Sequence, residues 1–122
     1  MPTERKILIV EDDVDFAGTL TLPLEMRHHS VQIAYNGFEA IRISQDQAFD
    51  VCFLDIKMPG MTGIECLRKI KELLPATTRF VMMTGFRDEA LFEEARQAGA
   101  REILLKPFKM AEFLRWAEEL SD

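Results

Sequence analysis

Short apolar runs rich in β-branched residues alternate along the chain with longer stretches whose apolar residues recur at helical spacing, and the alternation repeats five times. The short runs predict strands at Lys6 to Val10, Val31 to Tyr35, Val51 to Leu54, Arg79 to Met83 and Glu102 to Leu105. Most are almost wholly apolar, as parallel strands covered on both faces must be. Ile64, Leu67, Ile70, Leu73 and Leu74 form a helical stripe, as do Leu91, Ala95 and Ala98, and later Met110, Phe113, Leu114, Ala117 and Leu120. Asn36-Gly37, Pro59-Gly60 and Gly99 punctuate the joins, where a positive φ or a helix stop is expected. The first helix, Val14 to His28, is the weakest, because it holds Gly18, several Thr and Pro23, and a kink is expected at the proline. Strand and helix in strict alternation predict an α/β domain, and right-handed crossovers give it a doubly wound open sheet.

A length of 122 residues allows one core, so a single domain over 1–122 is expected, with no output domain attached. The formal net charge of −6 argues against direct contact with nucleic acid and favours cations as partners. Cys52 and Cys66 lie in apolar segments and are too few for a disulfide framework, so buried free thiols in a reducing compartment are expected. No apolar run reaches the roughly 18 to 20 residues a membrane span needs, and the start leads directly into a strand, so the expected location is cytoplasmic, without membrane contact.

In an open parallel sheet, ligands bind beyond the carboxyl ends of the strands. The first strand ends there in Glu11, Asp12 and Asp13, the third in Asp55, the fourth in Thr84 and the fifth in Lys106-Pro107. Asp13, just before Val14, is assigned as a helix cap. Glu11 and Asp12 would then face Asp55. Unit charges ~4 Å apart at an effective dielectric near 20 repel by about 4 kcal/mol, so three such carboxylates call for a cation. All-oxygen ligands point to a hard divalent ion, magnesium first, with Mn2+ as a substitute. A carboxylate left free at such a site can attack phosphorus, with Lys106 pairing to a phosphoryl oxygen and Thr84 hydrogen bonding to one.

Four segments then carry a resemblance: ILIVEDD from Ile7 to Asp13, LDIKMPGMTG from Leu54 to Gly63, MTG from Met83 to Gly85 and LKPF from Leu105 to Phe108. Together they resemble the signature segments of response-regulator receiver domains of two-component signal transduction, of the chemotaxis-regulator type, over essentially the whole chain. Asn36 to Ala40 and Ala98 to Ala100 also fit the family pattern. The resemblance implies a flavodoxin-like (βα)5 fold with strand order 2-1-3-4-5. It implies Asp55 as phosphoacceptor, Asp12 as direct Mg2+ ligand, Glu11 as a ligand through water, and Asp55 with the backbone carbonyl of Lys57 completing the protein ligands. Thr84 would turn inward on phosphorylation. The donor would be a phosphohistidine on a histidine kinase or histidine phosphotransfer protein. A downstream protein or output domain would read the face formed by the fourth helix, fifth strand and fifth helix, and homodimerisation through that face is left open.

The sequence departs from the family pattern in placing Ile103 where an aromatic ring is usual, and Ile103 is read as core. Glu11 stands in place of the commoner Asp, a change that keeps metal binding. Lys57 and Phe86 occupy positions that resemble those governing access of water to the phosphoryl group; Phe86 either obstructs that water or is an ordinary exposed loop residue. Phe92 and Trp116 flank their apolar stripes, as core edge or as partner contacts. His28-His29 is read as a polar helix end, since adjacent helical residues do not share a face.

Three rivals follow from the same residues. A phosphohydrolase of the haloacid dehalogenase type needs a second Asp two residues after its nucleophile, where Lys57 stands, and a substrate-covering cap for which the chain is too short. A flavodoxin-like flavin carrier is disfavoured by the acidic turn after the first strand, which would repel a flavin phosphate. A receiver-like module that is never phosphorylated would not need Asp55, Thr84 and Lys106 together. The expected function is a signalling switch, not an enzyme turning over an external substrate.

Overall fold

The computed structural model describes residues 4–119 and bears out the alternation. Its elements are β1 (Lys6–Val10), α1 (Val14–Met26), β2 (Ser30–Ala34), α2 (Gly37–Asp46), β3 (Val51–Asp55), α3 (Gly63–Lys71), β4 (Arg79–Thr84), α4 (Glu89–Ala98), β5 (Ala100–Leu105) and α5 (Met110–Glu118). The strands form one parallel sheet in the order β2-β1-β3-β4-β5. β3 and β4 are buried along their whole length and β1 along all but its first residue, whereas the edge strands β2 and β5 are only partly buried.

Alternation along each central strand divides the interior into two cores. Leu8 and Val10, Cys52 and Leu54, Phe80 and Met82 pack with Ala40 and Ile43 of α2, Leu67 and Ile70 of α3 and Ala95 of α4. Ile7 and Ile9, Val51 and Phe53, Val81 and Met83 pack with Leu20 and Leu24 of α1 and Phe113 and Ala117 of α5. A strand whose two faces feed two cores has no room for polar residues until it ends, so the polar side chains appear together at the strand termini. Cys52 and Cys66 are free and buried, and burial pushes both thiols up, Cys66 to about 12.

Several boundaries shift from the sequence reading. β2 lies one residue earlier than expected, because the backbone N–H of Tyr35 donates to Glu39 Oε1 at 2.7 Å and the chain is already turning into α2. β5 begins at Ala100, with a register shift between Phe80, which pairs with Ala100, and Val81, which pairs with Glu102. α1 ends at Met26 and runs on through Pro23. Leu120 lies outside the described residues. Gly60 and Gly99 take φ of +85° and +122°, as expected of turn and helix-stop glycines. Gly37 does not. Asn36 is an extended N-cap there, and Gly37 instead packs closely, since a Cβ would come within 2.6 Å of Met61 Sδ and displace that side chain. Among the described residues, no helix is long and apolar enough to cross a membrane.

Candidate functional site

The carboxyl ends of β1, β3, β4 and β5 deliver their polar residues to one rim. Parallel pairing fixes the level: Val10 pairs with Leu54 and Thr84 with Leu105, so the residues that follow these pairs emerge side by side. Ligand oxygens of Glu11, Asp12 and Asp55 lie within 4.8 Å of one another. Glu11 is 1% exposed, Asp55 is 7% exposed and Asp12 is open to solvent.

Lys106 ties this acidic group together. Its Nζ donates to Glu11 Oε1 at 2.8 Å and to Asp55 Oδ2 at 3.3 Å. Backbone amides take up further lone pairs, with Asp13 N–H donating to Glu11 Oε2 at 3.1 Å and Lys57 N–H to Asp55 Oδ1 at 3.3 Å. One ammonium still faces three carboxylates. Burial pushes the Glu11 carboxyl up to about 7; the hydrogen bonds from Lys106 and the Asp13 amide pull it down, and the Asp55 charge adds to the rise. Burial works against the Lys106 ammonium, but its contacts with Glu11 and Asp55 outweigh that and hold its pKa above the ordinary lysine value. The donor set is oxygen only, partly buried and short of positive charge, which fits a hard divalent cation.

The remaining residues frame this group. Asp13 caps α1, its Oδ1 accepting from Phe16 N–H at 3.1 Å, as expected. Thr84 is 2% exposed, and its hydroxyl oxygen accepts from Phe86 N–H at 3.2 Å, so it is held by its own loop. Phe86 is 63% exposed, with Lys57 Nζ 4.8 Å from its ring centroid, so the residues two beyond Asp55 and Thr84 meet each other. Gly63 packs against the backbone of Asp55 and Ile56. Its N–H donates to Ile56 O at 2.8 Å, and a Cβ there would collide with the backbone carbonyl of Asp55. The Lys106-Pro107 peptide bond is cis.

Residues 7–118 match the response regulator receiver domain family. The chain belongs to that family. Receiver domains are the signalling switches of two-component systems, and this one has the expected doubly wound five-stranded sheet in the order 2-1-3-4-5. The transcriptional regulatory protein ResD of Bacillus subtilis is 35% identical over 109 residues, covering 89% of this chain and 45% of that protein. A response regulator from Burkholderia pseudomallei, solved with a phosphorylated aspartic acid, a calcium ion and citrate, superposes with a TM-score of 0.87 at 28% identity, covering 95% of this chain and 67% of that one. The receiver domain of a sensor histidine kinase from Pseudomonas aeruginosa, solved with a magnesium ion coordinated in the active site cleft, gives 0.84 at 25% identity, covering 97% of this chain and 98% of that one. This receiver domain spans less than half the length of several of its curated relatives.

Other sequence candidates separate cleanly in the receiver fold. Ile103 is partly buried against the α2–α3–α4 core, which fits its reading as core. Phe92 is buried, hence core, and Trp116 is partly buried against the α1–α5 core with the Arg115 guanidinium 5.2 Å from its ring. His29 is not a polar helix end. His28 turns the chain at φ +70°, and buried His29 accepts from Arg5 N–H through Nδ1 at 3.0 Å while its Nε2 meets Glu118 Oε2 at 2.7 Å. Sequence reasoning also missed Phe16, whose ring centroid lies 4.4 Å from Lys106 Nζ. Its only sequence signal is its place three residues after the Asp13 cap, which makes it look like an ordinary first-turn residue.

Proposed function

We propose that this receiver domain is a Mg2+-dependent phosphoaccepting switch in which Asp55 receives a phosphoryl group from the phosphohistidine of a histidine kinase or histidine phosphotransfer protein. The observation that carries the reading is the convergence of Glu11, Asp12 and Asp55 within 4.8 Å with the Lys106 ammonium bridging two of them. Glu11, Asp12, Asp55 and the backbone carbonyl of Lys57 would hold the ion, and Mn2+ would serve in place of Mg2+. The ion supplies neutralisation of the charge that spreads over the equatorial phosphoryl oxygens.

The chain's own residues do the rest. Asp55 offers a carboxylate oxygen as nucleophile, and its carboxylate would also help to hold the ion. Lys106, already within 3.3 Å of Asp55, exchanges a carboxylate oxygen for a phosphoryl oxygen. Thr84 leaves the backbone of Phe86 and donates its hydroxyl to the phosphoryl group. Phe86 and Lys57 limit the approach of water and so prolong the phosphorylated state. The readout would pass to a downstream protein or output domain through the face of α4, β5 and α5. A cytoplasmic location suits partners of this kind. The reaction is a single event on the chain itself, so the domain acts as a switch and not as a turnover enzyme.

Incubation with acetyl phosphate and Mg2+, followed by intact-mass measurement, tests the reading. One phosphoryl group should appear with Mg2+ present and none with chelator. Continuous release of phosphate from many phosphoesters would instead support a hydrolase.

A further inference from the structure

Lys106 is held from more sides than its two carboxylates. Its Nζ lies 4.4 Å from the ring centroid of Phe16, inside the range in which a cation is attracted to an aromatic face. An ammonium has three donors. Two go to Glu11 and Asp55, and the ring lies beside the same ammonium.

The ring is itself fixed. Phe16 meets Phe108 edge to face at 5.9 Å, Phe108 stacks on Phe113 at 5.9 Å, and Phe113 lies 4.4 Å from Phe53 in the buried centre of β3. Its backbone is tied to the acidic loop as well. Glu11 Oε1 accepts from Lys106, Glu11 Oε2 accepts from the Asp13 amide, Asp13 Oδ1 accepts from the Phe16 amide, and the Phe16 ring returns to Lys106. These four contacts close a circuit through the end of β1, the first turn of α1 and the end of β5. A long lysine stem has many rotamers, and a ring in this place removes those that swing the ammonium toward α1.

From this geometry we infer that Phe16 is a positioning residue for phosphoryl transfer, holding the Lys106 ammonium in register between Glu11 and Asp55. The inference rests on the phosphoaccepting reading above. With acetyl phosphate as donor, an Asp55 oxygen forms the new bond to phosphorus as the bond to acetate breaks and acetate leaves with the electron pair. Lys106 meets the charge on the transferring oxygens only if it is already aimed. Losing the ring therefore slows the maximal rate and leaves the binding of Mg2+ by the carboxylates as it was.

The test compares Phe16→Leu, which keeps bulk without a ring, and Phe16→Tyr, which keeps the ring, with the unaltered chain. Phosphorylation is followed over a range of acetyl phosphate concentrations with saturating Mg2+. Phe16→Leu should lose about tenfold in maximal rate, with Mg2+ affinity measured by calorimetry unchanged, and Phe16→Tyr should recover most of it. In a Lys106→Met background the Phe16→Leu loss should vanish. A loss of equal size in that background would overturn the inference, as would a Phe16→Leu protein with the full rate. Proton resonances of the Lys106 Cε methylene give a readout independent of phosphoryl transfer: the ring should shift them upfield in the native and Phe16→Tyr proteins and not in Phe16→Leu. If the native chain took up no phosphoryl group, the function reading would fail, while this shift would still decide the placement of Lys106; its absence would refute the placement.

Discussion

Two glutamates stand at opposite rims of the same sheet and meet opposite treatment. Glu11, at the carboxyl end of β1, is buried beside Asp55 with one shared ammonium, and burial pushes its carboxyl up to about 7. Glu118, at the end of α5, takes a two-pronged contact from Arg27 at 2.6 and 2.7 Å and a hydrogen bond from His29 at 2.7 Å, and the Arg27 contact in the lead holds its carboxyl down at about 2. Arg5 reaches the backbone carbonyl of the same residue at 3.4 Å. The Glu118 carboxylate is matched by Arg27 and His29, a clasp that ties α5 to the end of α1 and the start of β2. The Glu11 cluster is short of positive charge. An electrostatic deficit retained among Glu11, Asp12 and Asp55, while the carboxylate at the opposite rim is fully paired, is what a binding site for a cation looks like.

The largest expected effect comes from deforming the functional rim alone. Gly63→Ala forces a Cβ into the Asp55 carbonyl, and the fold should lose roughly 2 to 3 kcal/mol of stability in urea unfolding while the Glu118 clasp stays formed. Full stability with unchanged Mg2+ affinity would show that Gly63 does not set the level of Asp55.

Acid and base titrations of stability should run in opposite senses at the two rims. Glu11 has a folded pKa above its unfolded value of 4.5, so the folded state holds the extra proton and stability of the metal-free protein falls as pH rises from 4.5 to about 7. That fall should be on the order of 2 kcal/mol, and Glu11→Gln should remove it. Glu118 is depressed, so its contribution is complete above pH 4.5 and is lost as pH falls toward about 2. The group is partly solvated, so Glu118→Gln should cost only about 1 kcal/mol at neutral pH. Urea unfolding with chelator across pH would break the comparison if both variants moved stability in the same direction.

A smaller effect is expected at Phe86. Phe86→Ala removes the ring under Lys57 and should speed loss of the phosphoryl group about threefold, read as decay of the phosphorylated mass after the donor is removed. An unchanged half-life would leave Phe86 an ordinary exposed loop residue.

Much of this was legible in the sequence for a physical reason. Strands with two buried faces must be apolar throughout, so Asp55 at the end of Val-Cys-Phe-Leu and Glu11 at the end of Ile-Leu-Ile-Val are conspicuous, and their strand-end positions imply a common rim. The Asp13 cap was equally plain, since a cap is a local interaction. Phe16 and His29 were not. Each acts through a partner about 90 residues away, Lys106 and Glu118, and nothing local distinguishes a phenylalanine facing a core from one facing an ammonium. Gly37 misled because close packing against Met61 and a positive φ leave the same residue in the sequence.

The central claim is that Asp55 becomes the acyl phosphate, and it can be read at that residue. After incubation with acetyl phosphate and Mg2+, borohydride reduces an aspartyl phosphate to homoserine, and peptide mass mapping locates it. The account predicts homoserine at position 55 in the native chain and none anywhere in Asp55→Asn. Homoserine at position 12 or 13, or equal labelling of the Asp55→Asn protein, would contradict it.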